Sequence, residues 1–507
     1  MIFLWFAIGY LVLLMTISIF KSFLVKGQED FMVAGRSVPT AKLVATLLCT
    51  WMGAGSLLAG AGLAARVGFS ELWMAAGAWT GIIIIFFLAA KVRRIAKFTV
   101  PDILELRYNK YARMLGTFVI VIAYTTIAGY QFRAGGFVLE LVAGVPEWQG
   151  VIMTASFMII FTAFAGMMSI VAVDIINGAL ITLAVLIAVP IVFFSIGGAE
   201  HLTATLEPSH FTLFGDNNFF WAMGIFLPSF FLLLGDSNIY QRFFSAKNEK
   251  AAKSAVVWWV IGTILVETAL ASLAIFAFSY FNALPPFDAL YLSLEDAERI
   301  ILHTARYSTE VGIPLWGGLL LLCASMAIIT STGNSFLLTP STNLTRDIYQ
   351  RFINPDATMK YLVTFQRIMI LLLGILAYML LTQFTTILAM ALTAYTMVGA
   401  GLTPALLATF LWRRVTVAGG VASIATGMGV TLLITITNII LVNYTGSQLL
   451  NEQYIILPAI FSSITVLVIV SLLTNPDPKE KWGQFYTEEA SLADAIKEAE
   501  AEVEEKE

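Results

Sequence analysis

Thirteen separate stretches of this chain are each long and apolar enough to cross a lipid bilayer, and that repetition constrains the fold more than any motif. A spanning helix needs about 20 mostly apolar residues. The stretches run over about 2–20, 42–65, 70–92, 114–142, 149–167, 170–195, 218–239, 254–282, 313–338, 361–382, 384–411, 416–442 and 453–474. None shows the period-2 alternation of a barrel strand. In hydrocarbon every backbone N–H and C=O needs a partner, so only helices and closed barrels can span. The sequence therefore predicts an all-α membrane protein with 13 transmembrane helices over residues 1–475. An acidic cytoplasmic tail over 476–507 follows.

The basic residues set the orientation. With the N-terminus outside, the inner loops and tail hold all of the 29 Lys and Arg residues except Arg66, Arg133, Arg299 and Arg306. Cytoplasmic loops carry such an excess. The N-terminus is thus expected outside and the C-terminus in the cytoplasm, which requires an odd number of crossings. The first run, Met1 to Phe20, lacks a basic flank before it and a small-residue cleavage site, so it reads as a retained helix and not as a signal peptide. The expected location is the plasma membrane, of the prokaryotic inner-membrane kind, with many passes.

Composition removes other classes. Only 12% of residues are charged, against about 25% in water-soluble domains. A net charge of −4 offers no broad basic surface for nucleic acid. Cys49 and Cys323 both lie in apolar runs, which argues against a disulfide framework. There is no GxxxxGK[ST] loop, no HExxH and no GxSxG with triad partners. His201, His210 and His303 all fall in predicted outer loops. These absences argue against a P-loop ATP-driven pump and an intramembrane metalloenzyme, and no enzyme activity, cofactor or obligate protein partner is expected. The tail is rich in Ala, Glu and Lys and lacks an apolar face, so it reads as solvated.

Three groups of residues stand out inside the apolar runs. The first is Cys49-Thr50-Trp51-Met52-Gly53-Ala54-Gly55-Ser56, with Gly60 and Gly62, in the second span. Each glycine costs a helix about 1 kcal/mol relative to alanine. Such a run allows either close helix packing through small residues or an unwound stretch whose freed carbonyls face a cation. The second is Thr330-Ser331-Thr332-Gly333-Asn334-Ser335 in the ninth span. Hydroxyls in helices can bond back to their own carbonyls. They are also hard neutral ligands that suit sodium better than zinc or copper. The third is the set Arg133, Asp174, Asp236 and Glu267. Each costs at least about 2.5 kcal/mol near the bilayer centre, so each is a candidate functional residue. Asp174 can lie on a cation path or cap its helix. Arg133 can clamp a solute carboxylate through its planar fork, or pair with an acidic neighbour such as Glu267. Asp236 lies near the inner end of the seventh span and reads as a gate or interfacial residue.

Several further motifs match a known pattern together. They are Asp30-Phe31-Met32-Val33-Ala34-Gly35-Arg36, Thr99-Val100-Pro101-Asp102-Ile103-Leu104-Glu105-Leu106-Arg107-Tyr108, Gln241-Arg242-Phe243-Phe244-Ser245-Ala246-Lys247, the pair Ser331-Thr332, and Leu344-Thr345-Arg346-Asp347-Ile348-Tyr349. Val398-Gly399-Ala400-Gly401-Leu402-Thr403-Pro404-Ala405 with Trp412-Arg413-Arg414 completes the series. In this order and over about residues 1–475 the chain resembles the sodium/solute symporter family, which includes sodium-coupled proline, pantothenate, sialic acid and glucose transporters.

The resemblance implies a leucine-transporter-like core, in which helices 2–6 (about 42–195) and 7–11 (about 218–411) form inverted five-helix repeats and the second helix is unwound. It implies a sodium ion held by the carbonyls of Cys49 and Met52 and the hydroxyls of Ser331 and Thr332. Members with a second sodium resemble one another in using the aspartate of the sixth helix, present here as Asp174 and kept among the sodium-binding candidates, and a serine one turn before the Ser-Thr pair. Here that position is Ile328, which implies one sodium per solute. The implied solute site comprises Trp51, Gly53, Ser56, Trp79, Gln131, Arg133, Phe230 and Leu233. Phe230 and Leu233 are apolar where sugar carriers of the family are polar, and Arg133 favours a carboxylated solute such as an amino or organic acid. The expected function is sodium-coupled import of a small polar solute by alternating access. A transporter-like solute sensor and proton coupling through Asp174 or Glu267 stay open as alternatives.

Overall fold

The computed structural model describes residues 2–23, 32–95, 98–283 and 294–486. Part of the first motif, Asp30 and Phe31, and the tail beyond 486, expected to be solvated, lie outside the described residues. The described chain is helical throughout. Its elements in order begin with α1 (Ile2–Ser22), α2 (Thr40–Trp51), a π-helical turn (Gly55–Gly60), α3 (Ala61–Val67), α4 (Leu72–Ile95), α5 (Val100–Arg107), α6 (Lys110–Ala143), α7 (Glu147–Ser195) and α8 (Gly198–Thr205). The second half comprises α9 (Phe219–Gly235), α10 (Ser237–Ser245), α11 (Glu249–Phe281), α12 (Leu294–Ala297), α13 (Ile300–Arg306), α14 (Leu315–Asn343), α15 (Met359–Leu381), α16 (Ile387–Gly401), α17 (Thr403–Leu411), α18 (Val417–Thr445) and α19 (Ile456–Leu473).

By length and composition, twelve helices among the described residues can cross a membrane. The difference from the expected thirteen has a local cause. The run Gly55–Ile95 holds both the second half of the second predicted span and the whole of the third, divided at Gly68 (φ 67°). The first half of the second span, Thr40–Trp51, is a separate short apolar helix. The fifth and sixth predicted spans likewise share α7 and are divided at Gly166, whose φ of 61° and ψ of 175° suit only glycine.

Element ends follow local chemistry. Asn109 caps α6 by accepting the N–H groups of Tyr111 and Ala112, and α6 stops at Gly144 in the left-handed region. Thr99 caps α5, with Pro101 in its first turn. Asp236 interrupts the seventh span. It is extended (φ −67°, ψ 105°) and its carboxylate accepts the N–H of Asn238, which starts α10. The ninth predicted span, α14, is deeply enclosed. Every residue from Leu321 to Asn343 is buried, and α14 packs on both α6 and α7. Facing α14 across the core are α2 and the break that follows it.

Candidate functional site

The site begins where α2 stops. Met52 is extended (φ −70°, ψ 108°), and the chain becomes helical again only after Gly53. In an unbroken helix Cys49 O would accept from Gly53 N, and Met52 O from Ser56 N. Here Ser56 N and Leu57 N both turn to Gly53 O, at 3.1 and 2.9 Å. The freed carbonyls of Cys49 and Met52 instead accept from Thr332 Oγ1, at 3.1 and 2.6 Å. Of the two readings of the glycine run, the broken one describes residues 52–54. Close packing also applies, because a Cβ on Gly53 would lie 2.8 Å from Gln131 Nε2 and 2.9 Å from Thr332 Cγ2.

Asp174 closes the cradle from α7. Its two carboxylate oxygens accept from Ser331 Oγ and Thr46 Oγ1. Its carbonyl accepts from Cys49 Sγ at 3.2 Å. The carboxylate thus ties α2, α7 and α14 together, and Asp174 is fully buried. Two backbone carbonyls, two hydroxyls and one carboxylate make a set of hard oxygen donors. That set suits a small hard cation and lacks the thiolate or imidazole that zinc and copper prefer. Ile328, one turn earlier, is buried and apolar. Arg242 lies fully buried nearby and donates to Ser335 Oγ at 2.7 Å.

On the other face of the break lies a small cavity. Its wall includes Trp51, Ser56, Glu71, Ser229, Glu267 and Tyr395, and its free volume is about 20 Å³, room for about one water. Glu267 is bound by neutral donors. Oε1 accepts from Trp51 Nε1 (2.9 Å) and Ser56 Oγ (3.2 Å), and Oε2 accepts from Trp79 Nε1 (2.7 Å). Arg133 is therefore not its partner. Gln131 Oε1 accepts the N–H of Ala54 at 3.0 Å and pins the resumed helix. A Cβ on Gly55 would lie 2.4 Å from Tyr395 Oη, so the tyrosine would have to shift to admit one.

Of the expected solute residues only Trp51 and Ser56 line this wall. Gly53 and Gln131 lie at the break and Trp79 reaches Glu267, while Arg133, Phe230 and Leu233 lie apart. Arg133 is held elsewhere. Its guanidinium meets Glu147 (3.2 Å), Glu295 (2.9 Å) and the carbonyls of Phe384 (3.1 Å) and Thr385 (2.6 Å). With these acceptors taken, it forms part of an ion-pair network and is not a free fork for a carboxylate. Leu233 is fully buried, and its side chain packs on Gly81 of α4. Phe230 stacks on Phe226 with centroids 5.7 Å apart. Both serve the α4–α9 interface. Glu71 and Tyr395 also line the cavity, and neither carries a local signal in the sequence. Glu71 sits at the first turn of the third apolar run and reads as a boundary residue. Nothing local distinguishes Tyr395 from other aromatics of the eleventh run.

A second network lies at the predicted outer end. Arg299 pairs with Glu140 (2.8 Å) and Glu147 (3.4 Å), and its guanidinium covers Phe137 at 4.1 Å. Glu298 is buried and accepts the backbone N–H groups of Ile387 (3.0 Å) and Leu388 (2.8 Å) at the start of α16. Its own backbone presses on α3, where a Cβ on Gly62 would lie 2.7 Å from Glu298 Cα. Residues 294–306 thus join α3, the second half of the broken helix, to α6, α7 and α16.

An all-helical membrane body with a hydroxyl pair set against a broken helix defines a membrane transporter. The comparisons narrow the class. The model of the Sodium:solute symporter family matches residues 31–427, and the chain belongs to that family. It is a transporter and not an enzyme. It is 26% identical to the osmoregulated proline transporter OpuE of Bacillus subtilis (strain 168), over 90% of this chain and 92% of that one. It is equally 26% identical to the high-affinity proline transporter PutP of the same organism, covering 90% and 95%. Among solved structures, a Na+-coupled sialic acid symporter aligns with a TM-score of 0.74 at 15% identity, covering 94% of this chain and 98% of that one. The Eremococcus coleocola manganese transporter aligns at 0.53 and 13% identity, covering 89% and 99%. These neighbours share the leucine-transporter-like fold.

Proposed function

We propose that this chain imports proline, or a close relative of it, in symport with one sodium ion. The observation that carries the sodium part is the meeting of Thr332 Oγ1 with the freed carbonyls of Cys49 and Met52, beside the Ser331–Asp174 pair. Family membership supports sodium as the coupling ion. The proline transporters among its relatives support the solute. The expectation of a carboxylated solute in general rested on Arg133 and narrows accordingly, because Arg133 is engaged by four other acceptors. Of the residues implied for the solute, Trp51, Gly53, Ser56, Trp79 and Gln131 surround the cavity and the break, and we assign them to solute binding with Glu267. The proposed ion ligands are Cys49 O, Met52 O, Ser331 Oγ, Thr332 Oγ1 and Asp174. We further infer thirteen crossings, with residues 42–195 and 218–411 as inverted repeats, the N-terminus outside and the C-terminus inside.

The mechanism follows from the geometry. The Thr332 hydroxyl proton points at the carbonyls of Cys49 and Met52. Sodium takes the place of that proton's contacts, and the hydroxyl rotates to offer a lone pair. The ion then ties α2 to α14 and fixes the break, which orders Gly53 to Ser56 along the cavity. Solute affinity rises, and by linkage solute raises sodium affinity by the same factor. Movement of the helices around α14 next exposes both sites inward, and sodium leaves down its gradient.

The test is uptake of labelled proline by proteoliposomes. Uptake should require sodium, vanish with choline at fixed pH, and fall sharply in Ser331→Ala and Thr332→Ala. Uptake that persists in choline and follows an imposed pH gradient would replace sodium coupling by proton coupling. Proline binding without flux would favour a sensor.

A further inference from the structure

Two carboxylates face the cavity beside the break, and no cation among the described residues meets either of them. Glu71 is 6% exposed and Glu267 is 7% exposed. Glu267 has three neutral donors, two indoles and a hydroxyl. A carboxylate offers about four acceptor positions, so one stays open. Glu71 has no hydrogen-bond or ion-pair partner among the described residues, and it lines the cavity. Its Oε1 lies close against Gly60, 2.9 Å from where a Cβ would sit. Ionisable groups in the membrane interior ordinarily pair with opposite charge. The arginines near the outer end, Arg133 and Arg299, are already committed to Glu140, Glu147 and Glu295.

We propose that Glu71 and Glu267 together receive the protonated amine of the solute. This rests on reading the cavity as the solute site. It names the substrate class: an alkylammonium or a zwitterionic amino or imino acid, recognised first by its nitrogen. The rest of the wall agrees. Trp51, Met74, Ala75 and Leu270 supply methyl, methylene and indole surface, which suits the carbons attached to that nitrogen. An aromatic face also attracts a cation. The ammonium group needs only the open acceptor positions of two carboxylates. Because the free volume is about 20 Å³, Trp51 and Trp79 must shift as the solute enters. Both indoles hydrogen-bond to Glu267, so seating the amine and releasing the indoles become one event.

The experiment uses the full chain in proteoliposomes and in detergent. Sodium-dependent binding is measured for L-proline, for pyrrolidine (amine without carboxylate) and for N-acetyl-L-proline (carboxylate without a basic nitrogen). Sodium affinity is measured separately, without solute, by tryptophan fluorescence. Pyrrolidine should bind and compete with proline, and N-acetyl-L-proline should be at least about a hundredfold weaker. Glu71→Gln should weaken proline by about tenfold or more and leave sodium affinity unchanged; with no partner to lose, this variant should fold. Glu267→Gln should act in the same direction. N-acetyl-L-proline binding as well as proline would overturn the proposal. So would proline affinity that survives both substitutions, or a sodium site lost in Glu71→Gln. If sodium titrates in a Thr332-dependent way but neither amine binds, this inference fails and the sodium reading stands. If sodium gives no Thr332-dependent response, the symport reading fails first.

Discussion

Thr332 makes two contacts with one oxygen, and its neighbours dictate what a change there should do. Thr332→Ala removes a ligand and leaves the carbonyls of Cys49 and Met52 facing a methyl group. A lost hydrogen bond to a charged partner costs about 1.5–3 kcal/mol, so sodium affinity should fall by roughly ten- to a hundredfold. Thr332→Ser keeps the hydroxyl and should recover most of that loss in a sodium titration. Equal losses in both variants would point to packing by the threonine methyl group. Arg133 gives a contrasting case. Arg133→Gln breaks contacts to Glu147, Glu295 and two carbonyls, none of which lines the cavity. It should speed hydrogen exchange in 294–306 more than it weakens proline binding. The reverse result would restore the carboxylate clamp.

These two residues also mark how far the sequence could be read. Ser331 and Thr332 were legible because hydroxyls crowded into an apolar run are costly without a purpose, and the family pattern supplied the facing carbonyls. Arg133 was legible as an anomaly and not as a role. Its acceptors lie on α7, α12 and the loop before α16, and no local pattern links those positions. Glu267 shows the same limit. An acidic residue in an apolar run suggests a basic partner, whereas its donors are two indoles and a serine brought together by the break.

At the level of elements, the segment 294–306 has a pH dependence that can be worked out. Burial pushes the Glu298 carboxyl up to about 7 from 4.5. The N–H groups of Ile387 and Leu388 and the charge of Arg133 work against that rise, while Glu295 adds to it. The docked form of the segment therefore binds a proton more tightly than a solvated glutamate does. Docking is favoured at low pH, and the advantage fades as pH rises from about 4.5 to about 7. Burial holds His303 of the same segment down to about 4 from 6.5, which favours docking as pH rises over an overlapping window. The Glu298 contribution is therefore read by difference: exchange in 294–306 should speed up more with rising pH in the unmodified chain than in Glu298→Gln. A profile unchanged by Glu298→Gln would assign the effect to another group. The spans at this scale were largely legible from hydropathy. The merged run Gly55–Ile95 was not, because its division depends on the backbone angle of one residue, Gly68.

For the whole molecule, the proposed stoichiometry has a thermodynamic consequence. Moving one elementary charge across 100 mV supplies about 2.3 kcal/mol, which corresponds to about fiftyfold accumulation of a neutral solute. Two sodium ions would give roughly two-thousandfold under the same potential. Proteoliposomes with equal sodium on both sides and a fixed potassium-diffusion potential should therefore level off near the lower value. A plateau near the upper value would mean that the apolar Ile328 does not exclude a second ion.

The chain also carries its own reporter of this cycle. Of its two cysteines, Cys49 sits inside the ion cradle with its thiol on the Asp174 carbonyl, while Cys323 borders an apolar groove with Trp5, Leu13 and Trp316. A water-soluble maleimide can reach the first only when an aqueous path opens to the cradle, and the second is shielded by its apolar surroundings. The rate of thiol labelling in the unmodified protein thus becomes a clock for how often, and from which side, the cradle opens.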